Sequence, residues 1–366
     1  MNESSLGIYF HVPFCAKKCP YCDFYSVPFS KSLSSDYVDA VLRNVNHYGD
    51  NSFVDTIYFG GGTPSLLTVQ QIEEIINAVR ESFNVDKQAE ITIEANPAAL
   101  NYEKLTALYE AGINRLSLGV QSMMENELKF LGRIHSPEKV RNIIHEAKMA
   151  GFSNISCDLM IGLPNQTTKN IAHSIKCLSE MQVNHISSYI LKIENNTPFF
   201  FNGVSEMLPS DDDVSDIYLF MCDELEKYGF MQYEISNFAH EGFKSRHNSR
   251  YWKCLDYIGI GPAAHSGYKG RRFAVAGDVM KFIGEPFQTE VDTDTNPFSF
   301  EEKCMLSLRL TDGIDVNKLG IHKDKIMSKL PKLIENGLII SDGKKIALTK
   351  KGFLMSNSII EYLIFE

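Results

Sequence analysis

The sequence has no long apolar run, little basic charge and a single tryptophan. A membrane-spanning helix needs about 20 consecutive apolar residues, and no stretch of the chain provides them. The first residues, MNESSLGIYFHV, contain no basic segment and only a short apolar run, unlike a secretory signal peptide. These absences predict a cytoplasmic protein, in which cysteine thiols stay reduced rather than forming disulfides.

Acidic residues outnumber basic ones: the chain has 36 Lys and Arg and 46 Asp and Glu, which gives a formal net charge of -10. This balance argues against general affinity for nucleic acid or anionic lipid. The hydrophobic fraction of 44% is that of an ordinary globular protein. We therefore expect a well-packed catalytic or binding core with one or two small additional units.

Six short β-rich runs alternate with amphipathic helical stretches, and they cover residues 7–12, 55–60, 90–96, 114–120, 154–162 and 185–191. Such alternation predicts an α/β fold with a parallel sheet covered by helices. The pattern alone does not separate an open sheet from a partial barrel. In both, chemistry is expected in the loops at the carboxyl ends of the strands.

The regular alternation of strand and helix patterns ends after residue 195. A helix is predicted near 211–228, followed by an aromatic and glycine-rich segment from His247 to about Tyr268. From about residue 297, helices lead into LIISDGKKIALT, where Asp342-Gly343 is a hairpin signal. This end resembles a winged-helix module, for which a packing or substrate-covering role is expected rather than DNA binding. The predicted division is a core at 1–200, a middle region at 201–296 and a C-terminal α+β unit at 297–366.

Three of the eight cysteines lie within eight residues, at Cys15, Cys19 and Cys22, directly after the first predicted strand. Soft thiolates suit iron–sulfur clusters or zinc. A structural zinc site would need a fourth ligand. The nearby His11 lies within the first predicted strand, so we expect it to pack in the core or to form hydrogen bonds. The other cysteines, Cys157, Cys177, Cys222, Cys254 and Cys304, are predicted to pack in the core.

Three ligands on a [4Fe-4S] cluster leave one iron open for the amino and carboxylate groups of S-adenosylmethionine (SAM). CxxxCxxC after the first strand of a βα series resembles the radical SAM superfamily. In that chemistry an electron from the cluster cleaves the sulfonium of SAM to give a 5′-deoxyadenosyl radical. The resemblance implies a partial (β/α)6 barrel with a C-terminal α+β extension and the winged-helix-like module.

Polar residues at later strand ends are predicted to hold SAM. Arg133 and the amides of the glycine segment, Gly61, Gly62 and Thr63, would favour its carboxylate, and Glu94 its ammonium group. Gln121 and Asp158 would bind the ribose hydroxyls, and Tyr9 and Tyr21 would pack near the cluster and the adenine. Each residue alone could be an ordinary loop charge or helix cap, and only their succession along the strands predicts a nucleotide cleft.

The motifs HVPFCxxxCxYC, GGGTPS, IEANP, LSLGVQS, LGRIH and DLMIGLPNQT together resemble the coproporphyrinogen oxidase-like family, from residue 7 to about 270. This family contains heme chaperones and oxygen-independent coproporphyrinogen III oxidases. The oxidase branch usually has a fourth cysteine two residues after the third, where this chain has Phe24, and a longer N-terminal region. The segment from His247 to Trp252 matches the HNxxYW motif of the chaperone branch.

The chaperone branch implies a protein that binds heme and transfers it to hemoproteins, and decarboxylation of coproporphyrinogen III is the alternative. Whether the chain acts as an enzyme stays open. His247 is predicted to ligate heme iron, with His265 as a second candidate. The implied cofactors are a [4Fe-4S] cluster, SAM and heme. The implied partners are heme or porphyrin, an apo-hemoprotein acceptor and an electron donor such as flavodoxin or ferredoxin; transient membrane association during delivery is left open.

Overall fold

The structure, a computed structural model, describes residues 5–365. Residues 1–4 and residue 366 lie outside the described residues, and they belong to the first and last of the predicted regions. Within the described part, no helix is both long and apolar enough to cross a membrane.

The centre of the molecule is a 12-stranded sheet. Its strands are β1 (Leu6–Val12), β2 (Phe53–Gly61), β3 (Asn84–Ala95), β4 (Arg115–Gln121), β5 (Asn154–Ile161), β6 (His185–Ile190), β7 (Met231–Glu234), β8 (Asn237–Ala239), β9 (Tyr257–Ile260), β10 (His265–Tyr268), β11 (Arg271–Val275) and β12 (Glu290–Asp292). Their order is β12-β11-β10-β9-β1-β2-β3-β4-β5-β6-β8-β7. The first six strands are parallel neighbours in chain order, which confirms the predicted α/β core as a partial barrel.

Helices connect and cover these strands: α1 (Lys31–Tyr48), α2 (Val69–Ser82), α3 (Tyr102–Glu110), α4 (Glu125–Phe130), α5 (Pro137–Met149), α6 (Thr168–Glu180), α7 (Pro198–Phe201), α8 (Asp211–Lys227), α9 (Arg246–Trp252) and α10 (Val279–Gly284). Helix α2 shows why they form. Ile72, Ile75, Ile76 and Val79 recur at helical spacing and are buried, and Thr68 closes the N-terminus with a capping box.

Side chains of β1 point alternately into the hydrophobic core and into the interior of the barrel. Ile8, Phe10 and Val12 are fully buried in the main hydrophobic core. Because successive side chains of a strand point to opposite faces, Tyr9 and His11 point the other way, into the barrel. The hydrogen bond between the Tyr9 hydroxyl and His11 Nδ1 (3.2 Å) shows that they share this face. The inner face of the barrel is therefore polar and aromatic rather than aliphatic.

The sheet does not stop at the six predicted strands. Strand β9 of the middle region pairs in parallel with β1, with Tyr9 opposite Gly259. Strands β10 to β12 then continue in antiparallel fashion, and β8 and β7 extend the opposite edge beyond β6. The sequence indicated a change of texture here but not this pairing, because strands of three to five residues carry too short a pattern to name their partners.

The C-terminal region contains α11 (Phe300–Ser307), β13 (Ile314–Asp315), α12 (Lys323–Glu335), β14 (Ile339–Ser341), β15 (Lys345–Leu348), α13 (Lys350–Leu354) and α14 (Ser356–Ile360). Strands β14 and β15 form the predicted hairpin, in which Asp342 Oδ1 accepts hydrogen bonds from the amides of Lys344 and Lys345. Strand β13 adds a third strand that the sequence did not indicate.

Candidate functional site

A pocket of about 170 Å³ lies at the carboxyl ends of β1 to β5. Eleven of the thirteen residues predicted to hold a cofactor line it: Cys15, Cys19, Tyr21, Cys22, Gly61, Gly62, Thr63, Glu94, Gln121, Arg133 and Asp158. An adjoining pocket of about 230 Å³ shares Cys19, Thr63 and Arg133 with it. The other two predicted residues, Tyr9 and His247, do not line this pocket. The individual roles of all thirteen stay predictions.

Short backbone contacts shape the cysteine loop. The pair Phe14–Cys15 forms a short parallel ladder with Val27–Pro28, so both ends of the loop are held together. Within it, the Cys22 amide donates to the Cys19 carbonyl (3.1 Å), and Lys18 Nζ donates to the Phe24 carbonyl (2.9 Å). All three thiols are free and partly exposed toward the pocket.

Arg133 connects the cysteine loop to the pocket. Its Nη1 donates to Cys19 Sγ at 3.2 Å, and its Nη2 donates to the Gly119 carbonyl. Its buried Nε has no hydrogen-bonding partner among the described residues. The contact with Cys19 places a positive charge beside one of the three cysteine sulfurs. The unpaired Nε–H is available to an anionic group in the pocket.

The donor set fits an iron–sulfur cluster with a chelating ligand. Among residues 5–365, no three or more His, Cys, Asp or Glu side chains form a group that could hold a single metal ion. Three thiols spread around a pocket suit a four-iron cluster, because a cluster is a larger body than one ion. The pocket continues past the thiols to carboxylate, amide and guanidinium groups, as an amino acid with a nucleoside requires.

Two carboxyl groups, of Glu94 and Asp158, are the acidic groups of the pocket. Burial raises the pKa of Glu94 to about 7, although the Tyr58 hydroxyl donates to Glu94 Oε1 at 2.7 Å and stabilises the charge. Burial likewise raises the pKa of Asp158 to about 6, opposed by Ser187, Arg115 and Arg133. Both groups would gain from a cationic ligand, since a nearby positive charge favours their ionised form.

The glycine segment does not present its amides as predicted. The amide of Gly61 donates to Glu94 Oε2 (3.3 Å), that of Gly62 to the Val12 carbonyl (2.8 Å) and that of Thr63 to the Phe14 carbonyl (2.7 Å). The role predicted for these amides toward a ligand carboxylate is not seen in this arrangement. Glycine is needed for close approach instead, because a Cβ on Gly62 would lie 2.6 Å from the Phe14 carbonyl oxygen.

A larger cavity of about 510 Å³ adjoins the pocket, with Phe24, Gly61 and Glu94 on the boundary between the two. Tyr9 lies here rather than beside the cysteines. The other residues that line it are His11, Asp23, Tyr25, Tyr251, Tyr257, Ala263 and His265. His11 has the hydrogen-bonding role predicted for it, with Nδ1 near the Tyr9 hydroxyl and Nε2 bonded to the Tyr25 carbonyl at 3.0 Å.

His247 is fully buried behind this cavity and does not line it. Its Nδ1 forms a hydrogen bond with Thr56 Oγ1 (2.9 Å), and its Nε2 with the Tyr251 hydroxyl (2.8 Å). The ring stacks on Tyr58 with 5.1 Å between centroids. In this arrangement neither ring nitrogen is free for an iron atom, because α9 carries the residue into the packed interior of the barrel.

Three tyrosines that surround the site were not predicted from the sequence: Tyr25, Tyr58 and Tyr257. Tyr251 entered only as part of the HNxxYW motif. Tyr58 could have been found, because it lies two residues before Gly60 on a strand whose alternation places both on one face. One core prediction was also wrong. Cys254 is only partly buried, at a positive φ of 51° just after α9, whereas the other four scattered cysteines are buried.

Comparison with protein families agrees with this geometry. Residues 9–178 match the Radical SAM superfamily, and residues 300–355 match the HemN C-terminal domain. Among solved structures, coproporphyrinogen III oxidase (HemN) from Escherichia coli superposes with a TM-score of 0.82 at 23% identity, over 99% of this chain and 90% of that one. At this identity the likeness shows the fold.

Curated relatives cover the whole chain. The protein named heme chaperone HemW from Lactococcus lactis is 33% identical over 100% of this chain and 99% of its own length. The heme chaperone HemW from Bacillus subtilis is 35% identical over 98% of this chain and 99% of its own length. The chain therefore belongs to the radical SAM superfamily and, within it, to the family of the heme chaperone HemW.

Proposed function

We propose that this protein is a heme chaperone, which binds heme together with a [4Fe-4S] cluster and SAM and transfers the heme to hemoproteins. The observation that carries the proposal is the full-length similarity to proteins named heme chaperone HemW, which includes the middle region as well as the radical SAM core. Phe24, which stands where the oxidase branch usually has a fourth cysteine, is 63% exposed at the rim of the pocket and offers no ligand.

The residues of the pocket divide into two groups in this proposal. Cys15, Cys19 and Cys22 would hold the cluster, and Arg133 would donate a hydrogen bond to the Cys19 sulfur over its 3.2 Å contact. Once bound, the cluster and SAM supply one-electron reductive chemistry. The residues of the cleft bind and orient the nucleotide, and their enclosure keeps bulk water out.

The acidic residues would hold the cationic part of SAM. Glu94, which lines the pocket with the glycine segment, would take the amino group of SAM, and Asp158 and Gln121 would bind the ribose hydroxyls. Tyr21 packs on Phe199 with 6.2 Å between ring centroids, so it forms a fixed apolar wall. Arg133 would pair with the carboxylate of SAM through its buried Nε.

The wider setting follows from the same proposal. The partners would be heme, an apo-hemoprotein acceptor and an electron donor such as flavodoxin or ferredoxin, in the cytoplasm. We propose the core at 1–200, the middle region at 201–296 and the C-terminal unit at 297–366 as the functional divisions. The C-terminal unit would pack against the core and cover the cargo.

The decisive experiment is an anaerobic assay of the cluster-reconstituted protein with SAM, a strong reductant and coproporphyrinogen III, beside a parallel heme titration. We expect stoichiometric heme binding and an unchanged tetrapyrrole. Loss of carboxylates from coproporphyrinogen III with accumulation of 5′-deoxyadenosine would instead identify an oxidase and overturn the proposal. If heme is bound and the tetrapyrrole is unchanged, the absorbance of the heme would be used to follow its transfer to an apo-hemoprotein.

A further inference from the structure

The large cavity combines aromatic walls with an unengaged imidazole, that of His265. Its volume of about 510 Å³ lies within the usual range for a cofactor-sized ligand, roughly 300–1,000 Å³. Tyr9, Tyr25, Tyr251 and Tyr257 supply flat rings to its lining. Aromatic faces of this kind suit a planar, largely apolar macrocycle.

His265 differs from the other two histidines of this region in its exposure and in its partners. It is exposed at the edge of the cavity, and no hydrogen bond engages its ring within residues 5–365. His11 has both ring nitrogens in hydrogen bonds, and His247 is buried with both of its own engaged. An iron atom entering the cavity would therefore meet a free nitrogen only at His265.

The backbone holds His265 in this position. It begins β10 directly after a turn that contains Gly261 and Ala263 at positive φ. The next residue, Ser266, points to the opposite face, where its hydroxyl accepts from the Gly259 amide at 2.9 Å. A Cβ on Gly259 would lie 2.2 Å from the His265 carbonyl oxygen, so β9 and β10 are in close contact here. The backbone of His265 is thus held by the contact between β9 and β10, while its imidazole ring has no hydrogen-bonding partner in the described part of the chain.

We propose that heme binds in this cavity, with the imidazole of His265 as an axial ligand to its iron. This inference rests on the proposed heme-chaperone function and names the site at which it operates. Imidazole is a common ligand of heme iron. Because the cavity and the SAM pocket meet at Phe24, Gly61 and Glu94, the cargo would lie directly beside the cluster and SAM.

The other groups in the cavity are weaker ligands. Burial raises the pKa of Tyr9, Tyr251 and Tyr257, which keeps these phenols protonated, and the phenol hydroxyl of Tyr25 accepts a hydrogen bond from the Val279 amide (2.9 Å). The carboxyl groups of Asp23 and Glu94 line the cavity and would repel propionates. Heme would therefore enter with its propionate edge toward solvent.

The test is a ferric heme titration of the full-length, cluster-reconstituted protein under anaerobic conditions, read by absorbance for affinity and by electron paramagnetic resonance for the axial ligand. Loss of a direct ligand should cost at least as much affinity as loss of a group that only supports one, which is about tenfold. We expect His265→Ala to bind heme at least about tenfold more weakly and to lose the imidazole signature. His265→Met should bind heme with a changed ligand signature.

Two controls separate ligation from general damage. His145→Ala removes an exposed histidine on the far side of α5 and should leave both affinity and spectrum unchanged. His247→Gln should retain the imidazole signature, because that ring is not the ligand. If His265→Ala keeps the affinity and signature of the unmodified protein, the inference is wrong while the heme-chaperone function stands. If the unmodified protein binds no heme, the proposed function itself fails and the inference with it.

Discussion

Arg250, within the HNxxYW segment, is expected to contribute more to stability than any exposed arginine, and Arg250→Met tests this. The side chain is fully buried, and its Nη1 lies 2.5 Å from Oδ1 of Asp55, which is itself only 2% exposed. The guanidinium also donates to the backbone carbonyls of Ser5 and Asp256. It thus connects α9 to the start of β1 and to β2.

The magnitude follows from what the substitution leaves behind. Removing one partner of a buried ion pair costs about 3–5 kcal/mol, because the other charge remains uncompensated. Arg246 retains a 3.4 Å contact with Asp55 Oδ2, which moves the expected cost toward the lower end. The Asp256 carbonyl keeps the Gly7 amide as a donor (3.1 Å), so the lost hydrogen bonds to backbone carbonyls add little to this cost. We therefore expect a loss of about 3–5 kcal/mol in the free energy of unfolding.

The assay is urea unfolding followed by circular dichroism under anaerobic conditions. With a dependence of about 3 kcal/mol per molar urea or more for a chain of this size, the midpoint should fall by on the order of 1 M. Arg43→Met is the matched control: this exposed arginine also donates to two backbone carbonyls, of Ile283 and Glu285, and its loss should cost less than about 1 kcal/mol.

A second variant identifies the cause. Adding Asp55→Asn to Arg250→Met removes the stranded carboxylate and should recover part of the lost stability. If Arg250→Met unfolds at the same urea concentration as Arg43→Met, the buried ion pair of Arg250 and Asp55 does not stabilise the fold as expected, and the reasoning is refuted.

Three further outcomes are expected. Cys19→Ala should abolish the roughly 400 nm absorbance of the reconstituted iron–sulfur cluster, whereas Cys157→Ala, at a buried position, should keep it; an unchanged Cys19→Ala spectrum would contradict the cluster assignment. Because the pKa of Glu94 is about 7, its carboxylate takes up a proton below that pH, and calorimetric SAM affinity should fall about tenfold between about pH 8 and about pH 6. Glu94→Gln should flatten this dependence, and equal slopes would exclude Glu94 as its source. Gly62→Ala should weaken SAM binding, since its Cβ would meet a backbone oxygen of the cysteine loop at 2.6 Å, whereas Gly284→Ala has open space and should not.

Residues close together in the chain were the easiest to interpret. CxxxCxxC lies within eight residues, so ligand type and spacing predicted an iron–sulfur or zinc site, and the resemblance to radical SAM proteins favoured a [4Fe-4S] cluster. The six parallel strands were predicted because each carries enough buried residues to show a pattern and helical patterns separate them along the chain. The hairpin at Asp342-Gly343 followed from a two-residue signal that acts locally.

Roles that depend on burial were harder to predict. His247 and His265 both lie in the aromatic and glycine-rich segment from His247 to about Tyr268, and the sequence favoured His247 through its motif. The fold carries His247 into the interior between Thr56 and Tyr251, and it leaves His265 exposed at a cavity. The amides of Gly61 and Gly62 likewise have partners at Glu94 and Val12 that no local pattern reveals.

The sequence by itself determined the βα order of the core and the end of the chain at which a hairpin forms, and it predicted the cluster ligands, because each depends on neighbours within one or two elements. Only the tertiary structure decided that β9 joins β1 in parallel and that the middle region closes an aromatic cavity against the pocket at the carboxyl ends of the strands. That pairing brings together segments some 250 residues apart in the chain, with Tyr9 opposite Gly259. The physical reason is that burial and hydrogen bonding across such a distance depend on the packing of the whole sheet, which no local periodicity encodes.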